Sequence, residues 1–385
     1  MASWIPMDEV CRLLDVRPQT VYAYVSRSKL EVMTDPDQPR RSLYRADDVA
    51  TLARRKQAGR KHETLATNTL FGAEPSIATA LSAFHRGRLY YRGRDAVELA
   101  ASATLEEAAQ LLWGASSALD FGWDAPVHDG KSGRLAAFTA LAALAATGHS
   151  TRGRVTHVLQ QEGQGLVGQL ANAFGAKPGR QPLHLRFARG WKQSAFAAEQ
   201  MRTAMVLLVD HELTSSAFTA RITASNGASL PACVLAGLMT LSGPLHGDAS
   251  GQVRALFNDV ERLGEDEVIG HYLSSGLPLP GFGHHLYPDG DPRATALLGL
   301  FEPTEVVARF IEKATRLTGL QPNIDVALCA LVAHHRLPAD AAFGLFATAR
   351  SIGLLAHCLE QLAVPQVIRP RGRYVGQPLA PMAEA

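Results

Sequence analysis

Apolar positions recur at helical spacing along most of this chain. Thr104-Leu105-Glu106-Glu107 has the form of a capping box ahead of Ala108, Ala109, Leu111 and Leu112, and predicts a helix that begins there. Residues 135–146, 195–209 and 341–362 are apolar, rich in alanine and leucine, and helix-favouring. The most apolar stretch, 228–241, carries Pro231 and is shorter than the roughly 20 residues of a membrane span. It predicts a buried helix. The one strand signal is short, Arg88-Leu89-Tyr90-Tyr91-Arg92-Gly93. There is no alternation of strands and helices, no Walker loop, no dinucleotide glycine fingerprint and no internal repeat. The body of the chain is therefore expected to be mainly α.

The first 60 residues read differently. Asp8 is placed to cap a short helix with apolar Val10, Leu13 and Leu14. Asp15-Val16-Arg17 makes a turn, and Pro18 suits the first position of a second helix that presents Val21 and Val25. Two short helices joined by a tight turn are the helix-turn-helix pattern. A polar, proline-containing piece follows at 34–41, then Ser42-Leu43-Tyr44-Arg45. A last helix is predicted from Asp47 or Asp48 through Val49 and Leu52 into Arg54-Arg55-Lys56, and residues 61–75 read as a linker. This front segment resembles the small winged helix-turn-helix domains of the excisionase and MerR-like type, with Asp15 standing where a glycine is common. The resemblance implies that Arg17, Gln19, Thr20, Tyr22 and Arg27 face DNA, and that a dimer reads two half-sites. A packing or protein-interaction module of the same shape is the other reading.

Charge sharpens the division. The net charge of the 385 residues is +2, which argues against wholesale nucleic-acid or membrane binding. The first 60 residues carry +3 and the remainder −1. Cys11, Cys233, Cys329 and Cys358 are far apart and form no C-x-x-C pair, so neither a disulfide framework nor a zinc site is indicated. A reducing, cytoplasmic setting is expected. The N-terminus lacks the basic and apolar regions of a signal peptide.

Three loop-like segments carry candidate chemistry. Gly281-Phe282-Gly283-His284-His285, followed by Asp291-Pro292-Arg293, offers a proton donor or acceptor and a group that binds carboxylates through paired bonds. Gly243-Pro244-Leu245-His246-Gly247 lies upstream and Pro322-Asn323-Ile324-Asp325 downstream. A condensation at the carbon next to a thioester needs a carboxylate base, a donor for the enolate, a second donor for the carbonyl under attack, and arginines for an acidic partner. Asp325, His246, His284 and Arg293 supply one candidate each. Taken singly, a histidine in a glycine-rich turn is more often structural, and Asn-x-Asp after proline is more often a helix cap. The adjacent pairs His284-His285 and His334-His335 are not expected to converge on one ion, so no metal is called for.

Order makes these motifs recognisable. Residues 75–376 resemble the citrate synthase family through Gly87–Gly93, Asp210-His211-Glu212-Leu213 with Phe218-Thr219-Ala220-Arg221, the His246 and His284 loops, Pro322-Asn323-Ile324-Asp325, and Arg369-Pro370-Arg371. The resemblance implies a citrate synthase-like fold of a large helical domain (76–246 and 331–385) and a small one (247–330), preceded by the winged helix-turn-helix domain (1–60). It makes Asp325 the base, His246 the enol stabiliser and His284 the donor to the ketone. His211, Arg293 and Arg350 become the oxaloacetate-binding set. Arg369 reaches into the site of a second subunit, and Asn323 lies on the CoA side. No cofactor is implied, since the CoA thioester is a substrate. The implied reaction joins acetyl-CoA, oxaloacetate and water to give citrate and CoA in a homodimer. The alternatives are 2-methylcitrate synthesis from propionyl-CoA, or a DNA-binding regulator whose synthase-like body senses metabolites. Arg221 and His357 read as structural. Three departures stand out: Thr214 replaces a usual asparagine, Asp248 adds negative charge beside His246-Gly247, and Pro288 stands where a cation often meets CoA phosphate.

Overall fold

The computed structural model describes residues 4–14, 16, 18–26, 30–35, 38, 41–50, 77–124, 132–364, 366–370 and 376. The predicted linker 61–75, together with Asp15, Arg17, Arg27 and the predicted third helix beyond residue 50, lies outside the described residues. The chain divides into two units, Met1–Ala78 and Thr79–Ala385.

In the first unit, β1 (Trp4–Pro6), β2 (Val32–Thr34) and β3 (Ser42–Arg45) form an antiparallel sheet in the order β1-β3-β2. Two helices, α1 (Met7–Leu14) and α2 (Pro18–Ser26), lie between β1 and β2, and residues 46–50 are helical. Pro18 opens α2 as predicted. Asp8, expected as a cap, instead sits inside the first turn of α1, where its charge meets the positive end of the helix. Val10, Leu14, Val21, Leu30, Tyr44 and Val49 form the small core.

The second unit begins with a meander of β4 (Ser82–His85), β5 (Arg88–Tyr91) and β6 (Arg94–Asp95). Its two turns place consecutive residues at positive φ, Arg86 and Gly87 at 49° and 73°, Arg92 and Gly93 at 44° and 80°. These are the two-residue turns whose twist matches antiparallel strands. The helices are α3 (Ala96–Ala100), α4 (Leu105–Trp113), α5 (Arg134–Thr147), α6 (Thr156–Ala173), α7 (Leu183–Gly190), α8 (Ala195–Leu208), α9 (Ser215–Ser225), α10 (Leu230–Leu241), α11 (Ala249–Leu263), α12 (Glu265–Ser275), α13 (Pro292–Leu298), α14 (Glu305–Thr318), α15 (Ile324–His334) and α16 (Ala341–Leu362). The capping box forms as the sequence predicts: Glu107 N–H donates to Thr104 Oγ1 and Thr104 N–H to the Glu107 carboxylate.

Helix α16 runs through the centre and packs against α4, α6, α8, α9 and α10. By length and composition it could cross a membrane, but 94% of its most apolar window is buried against other helices of the unit. Helices α11, α12 and α14 pack on one another, and α15 packs on α11 and α13. The large mixed core fixes α16 closely enough that a Cβ at Gly353 would lie 2.3 Å from the Val209 carbonyl oxygen. Only glycine lets α16 approach the end of α8 so nearly.

Candidate active site

The Gly281–Arg293 loop is stitched to the segment before α15. Gly283 N–H donates to Gln321 O at 2.8 Å and Asn323 N–H to Gly281 O at 2.8 Å. Gly281 is at φ 80°, and a Cβ there would meet Val326 and Val253 methyls at 2.5 and 2.7 Å. The loop ends on Asp291, which caps α13 by accepting from Arg293 N–H at 3.0 Å. The same carboxylate accepts Ile324 N–H at 3.0 Å and grips the Arg293 guanidinium through two bonds of 3.0 and 2.8 Å. Burial opposes the charge on Arg293, but Asp291 more than compensates and raises its pKa above the ordinary value. One aspartate thus ties together two helix starts and one of the site's arginines.

His284 has a defined tautomer. Leu286 N–H donates to its Nδ1 at 3.2 Å, so that nitrogen carries the lone pair and the proton resides on Nε2. Burial, reinforced by Arg293, pushes its pKa down to about 4. The ring is a neutral donor at physiological pH. His211 stands edge-on to it at 5.4 Å, and its Nε2 bonds Tyr287 Oη at 3.1 Å. Burial, then Arg293 and Arg350, hold His211 neutral as well. His285 stacks on His284 at 4.9 Å from the exposed side.

His246 lies in the turn before α11. Its Nε2 is 2.8 Å from Ser216 Oγ, which is 3.1 Å from Thr214 Oγ1. Burial, with a further push from Arg350, lowers its pKa to about 4. Thr214, in place of the asparagine the resemblance leads one to expect, caps α9 through Ala217 N–H.

Asp325 is the second residue of α15. Asn323 caps that helix, accepting Asp325 N–H on Oδ1 at 2.9 Å, so the cap and the candidate base occupy adjacent roles in one turn. Asp325 Oδ1 is shut off from solvent and, among the described residues, has no hydrogen-bond partner. Burial raises its pKa to about 7, against the opposing pull of Arg293 and Arg350. A carboxyl poised near neutrality with an unoccupied oxygen can take up a proton.

Arg350 is fully buried on α16. Its Nε donates to Leu208 O at 3.0 Å, at the negative end of α8, and its guanidinium lies 5.0 Å from the Phe346 ring centre. Asp210 supplies negative charge nearby. Burial works against ionisation of Asp210, but His357, Arg350 and Ser82 hold its carboxyl below the usual range. His357 Nε2 is 3.3 Å from Asp210 Oδ1, and Ser82 Oγ donates to Oδ2. Arg221 donates to His357 Nδ1 at 3.3 Å and to Glu360 at 2.5 Å, the bracing part read for it from sequence.

The structure therefore brings His211, His284, Arg293, Asp325, Asn323, His246 and Arg350 into a linked set of contacts and mutual fields. It leaves Arg369 exposed, on a segment held by Ile368 N–H to Ser225 Oγ at 3.1 Å. Pro288 is exposed, and Asp248 is paired with Arg134. On α2, Gln19 and Tyr22 are exposed and Thr20 is half-buried. Sequence reasoning missed the parts played by Asp210, Ser216 and Tyr287. Tyr287 follows His284 by three residues and Asp210 precedes His211, and those positions were the available signals. Among the described residues, no group of three or more His, Cys, Asp or Glu converges as a metal site. His334 packs on Phe301 while His335 bonds Gln200.

Comparison with known proteins follows the same outline. Residues 124–371, more than half the chain, match the family model described as citrate synthase, C-terminal domain. Citrate synthase of Haloferax volcanii is 32% identical over 208 residues, 50% of this chain and 54% of that protein. Citrate synthase 2 of Bacillus subtilis is 32% identical over 201 residues, 49% and 53% of the two chains. The chain spans about half the length of these curated relatives. Among solved structures, citrate synthase of Thermotoga maritima superposes with a TM-score of 0.67 at 23% identity, covering 82% of this chain and 97% of its own. The Thermoplasma acidophilum enzyme, in ternary complex with carboxymethyl coenzyme A and oxaloacetate, gives 0.69 at 22% identity, covering 83% and 98%. These likenesses establish a mainly helical, citrate synthase-like fold.

Proposed function

We propose that this chain, which belongs to the citrate synthase family, condenses a CoA thioester with oxaloacetate and water. With acetyl-CoA the products are citrate and CoA. The observation that carries the reading is Asp325, whose Oδ1 has no hydrogen-bond partner among the described residues and whose pKa is lifted to about 7, set among neutral histidines and buried arginines. The names of the relatives and the ligands of the Thermoplasma complex support the substrate pair.

Asp325 removes a proton from the thioester methyl. Negative charge moves to the thioester oxygen, where His246 donates a hydrogen bond; taking the Ser216 hydroxyl as the donor to Nε2 puts the ring proton on Nδ1 for that task. The enol carbon attacks the oxaloacetate ketone while His284 passes its Nε2 proton to the ketone oxygen. Water then cleaves the citryl thioester, giving citrate and the free thiol. His211, Arg293 and Arg350 hold the dicarboxylate. Each of these two arginines already faces an aspartate, Asp291 or Asp210. An added cation is needed to bind a doubly charged ligand, and Arg369 of a second copy supplies it in a homodimer. Helices within 247–330 act as the small domain that closes over 76–246 and 331–385. Asn323 orders the CoA side by holding the start of α15.

The front unit is proposed as a winged helix-turn-helix module that binds DNA. Its two helices, antiparallel sheet and the exposed Gln19 and Tyr22 support this.

The test is thiol release by the full chain from acetyl-CoA or propionyl-CoA. Release is expected only when oxaloacetate is also present, and the faster acyl donor identifies citrate or 2-methylcitrate as the product. No turnover by the folded protein, with DNA retention that responds to these ligands, would favour a metabolite-sensing regulator instead. Because Asp325 must be ionised to act, kcat/KM should rise with pH and level off above about 7. A rate independent of pH between 5 and 8 would exclude Asp325 as the base. Removal of residues 1–60 should leave thiol release largely intact and abolish any DNA retention.

A further inference from the structure

The turn that carries His246 also carries Asp248, two residues from the histidine that the proposed chemistry sets against an enolate, itself negative. Asp248 is not left alone. Arg134 Nη2 donates to its Oδ1 at 2.7 Å. The two are far apart in sequence, and three features set Arg134 in place without help from Asp248. It is the first residue of α5, and the preceding Gly133, at φ 98°, donates its N–H to Ala173 O at the end of α6 (2.7 Å). Its guanidinium lies 3.9 Å over the Phe343 ring of α16. Phe343 packs edge-on against Phe138 at 6.3 Å and Phe174 at 5.9 Å, which makes the platform rigid.

Asp248 is likewise fixed. It immediately precedes α11, Asp248 N–H donates to Gly243 O at 3.3 Å, and Ala249 N–H donates to His246 O at 3.2 Å. The side chains of the pair are 31% and 30% exposed, so water screens them only in part. Of the groups facing His246 from other elements, Ser216 on α9 is uncharged and Arg350 on α16 is cationic. An unpaired Asp248 would add negative charge two residues from the ring.

We infer that Arg134 is a positioning residue for the condensation, cancelling the charge of Asp248 so that it does not oppose the enolate forming at His246. This rests on the proposed thioester chemistry at that histidine. At an effective dielectric near 20, a unit charge on the order of 10 Å from a developing charge is worth roughly tenfold in rate.

The test is a charge-rescue cycle in the full chain. Arg134→Met keeps the apolar stem over Phe343 and removes the cation, and Arg134→Gln repeats the change with a planar polar group. Either is expected to lower kcat about tenfold with the KM for oxaloacetate unchanged, by the Coulomb argument above. Adding Asp248→Asn to either variant should restore kcat, and Asp248→Asn alone, which leaves the Arg134 cation unopposed, should not fall below the parent. If single and double variants are equally impaired, Arg134 acts mechanically and the inference is overturned; it is overturned too if the single variants match the parent. Should the parent itself lack turnover, the functional reading fails, and NMR titration of the His246 ring decides the inference alone. The unpaired carboxylate should raise the His246 pKa in Arg134→Met, and Asp248→Asn should reverse the rise. No shift would overturn it.

Discussion

Asp325→Asn should abolish most turnover while leaving the protein as stable as the parent, and more stable at pH 8. The amide keeps the shape of the side chain but cannot accept the methyl proton, and a lost general base typically costs about 10²–10⁴ in rate. The stability half of the expectation comes from the sign of the pKa shift. Burial lifts the Asp325 carboxyl to about 7, whereas in the unfolded chain it titrates near 4. Between these values the folded state binds the proton more tightly than the unfolded state. Stability therefore falls as pH rises through that window, and above about 7 the full cost of the desolvated charge is present. The asparagine variant lacks that cost. Thiol release and urea denaturation at pH 5 and pH 8 measure both halves. Wild-type rates, or a variant clearly less stable than the parent at pH 8, would contradict the reading of Asp325 as a strained base.

Arg293→Met should do the opposite and destabilise the protein by about 3–5 kcal/mol, the usual consequence of removing one partner of a buried ion pair. The Arg293 side chain is 4% exposed and Asp291 is fully enclosed. Methionine fills much of the space, but Asp291 would keep only its backbone donors, Ile324 N–H and the N–H of residue 293. That leaves a buried negative charge with two strong bonds missing. The damage should spread to both helix starts that Asp291 holds, α13 and α15, so Asp325 would be displaced along with the loop of His284. Adding Asp291→Asn removes the orphaned charge and should recover a large part of the loss. Urea denaturation of the two variants measures this. A single variant within about 1 kcal/mol of the parent would mean that solvent reaches Asp291 after all.

What the sequence disclosed depends on how far apart the cooperating residues are. The helices at 105–113, 195–208 and 341–362 announce themselves through apolar spacing, and Thr104 and Glu107 announce a cap, because partners three or four residues apart leave a local pattern. The β5 strand showed in its paired tyrosines. The strands β1, β2 and β3 did not, since three or four residues hold too little periodicity to read. The misplaced role of Asp8 is an error of one or two positions, the usual scale at a helix end. The His246, His284 and Asp325 loops were legible as motifs because each is a contiguous run with fixed turn chemistry. The supports behind them were not: Ser82 and Asp210, Arg221 and His357, and Arg134 and Asp248 meet across more than a hundred residues. Nor could Asp248 be weighed correctly from its own neighbourhood, because the group that neutralises it begins a different helix.

The bond from Leu286 N–H to His284 Nδ1 has a consequence for how such a site can vary. A backbone amide has no alternative protonation state and is present whatever residue occupies position 286, proline excepted. The direction in which His284 offers its proton is therefore written into the path of the chain and not into any neighbouring side chain. Residues around the ring can change to suit a different acyl group or partner acid while the polarity at the ketone stays as it is. To reverse that polarity, the turn itself would have to be rebuilt.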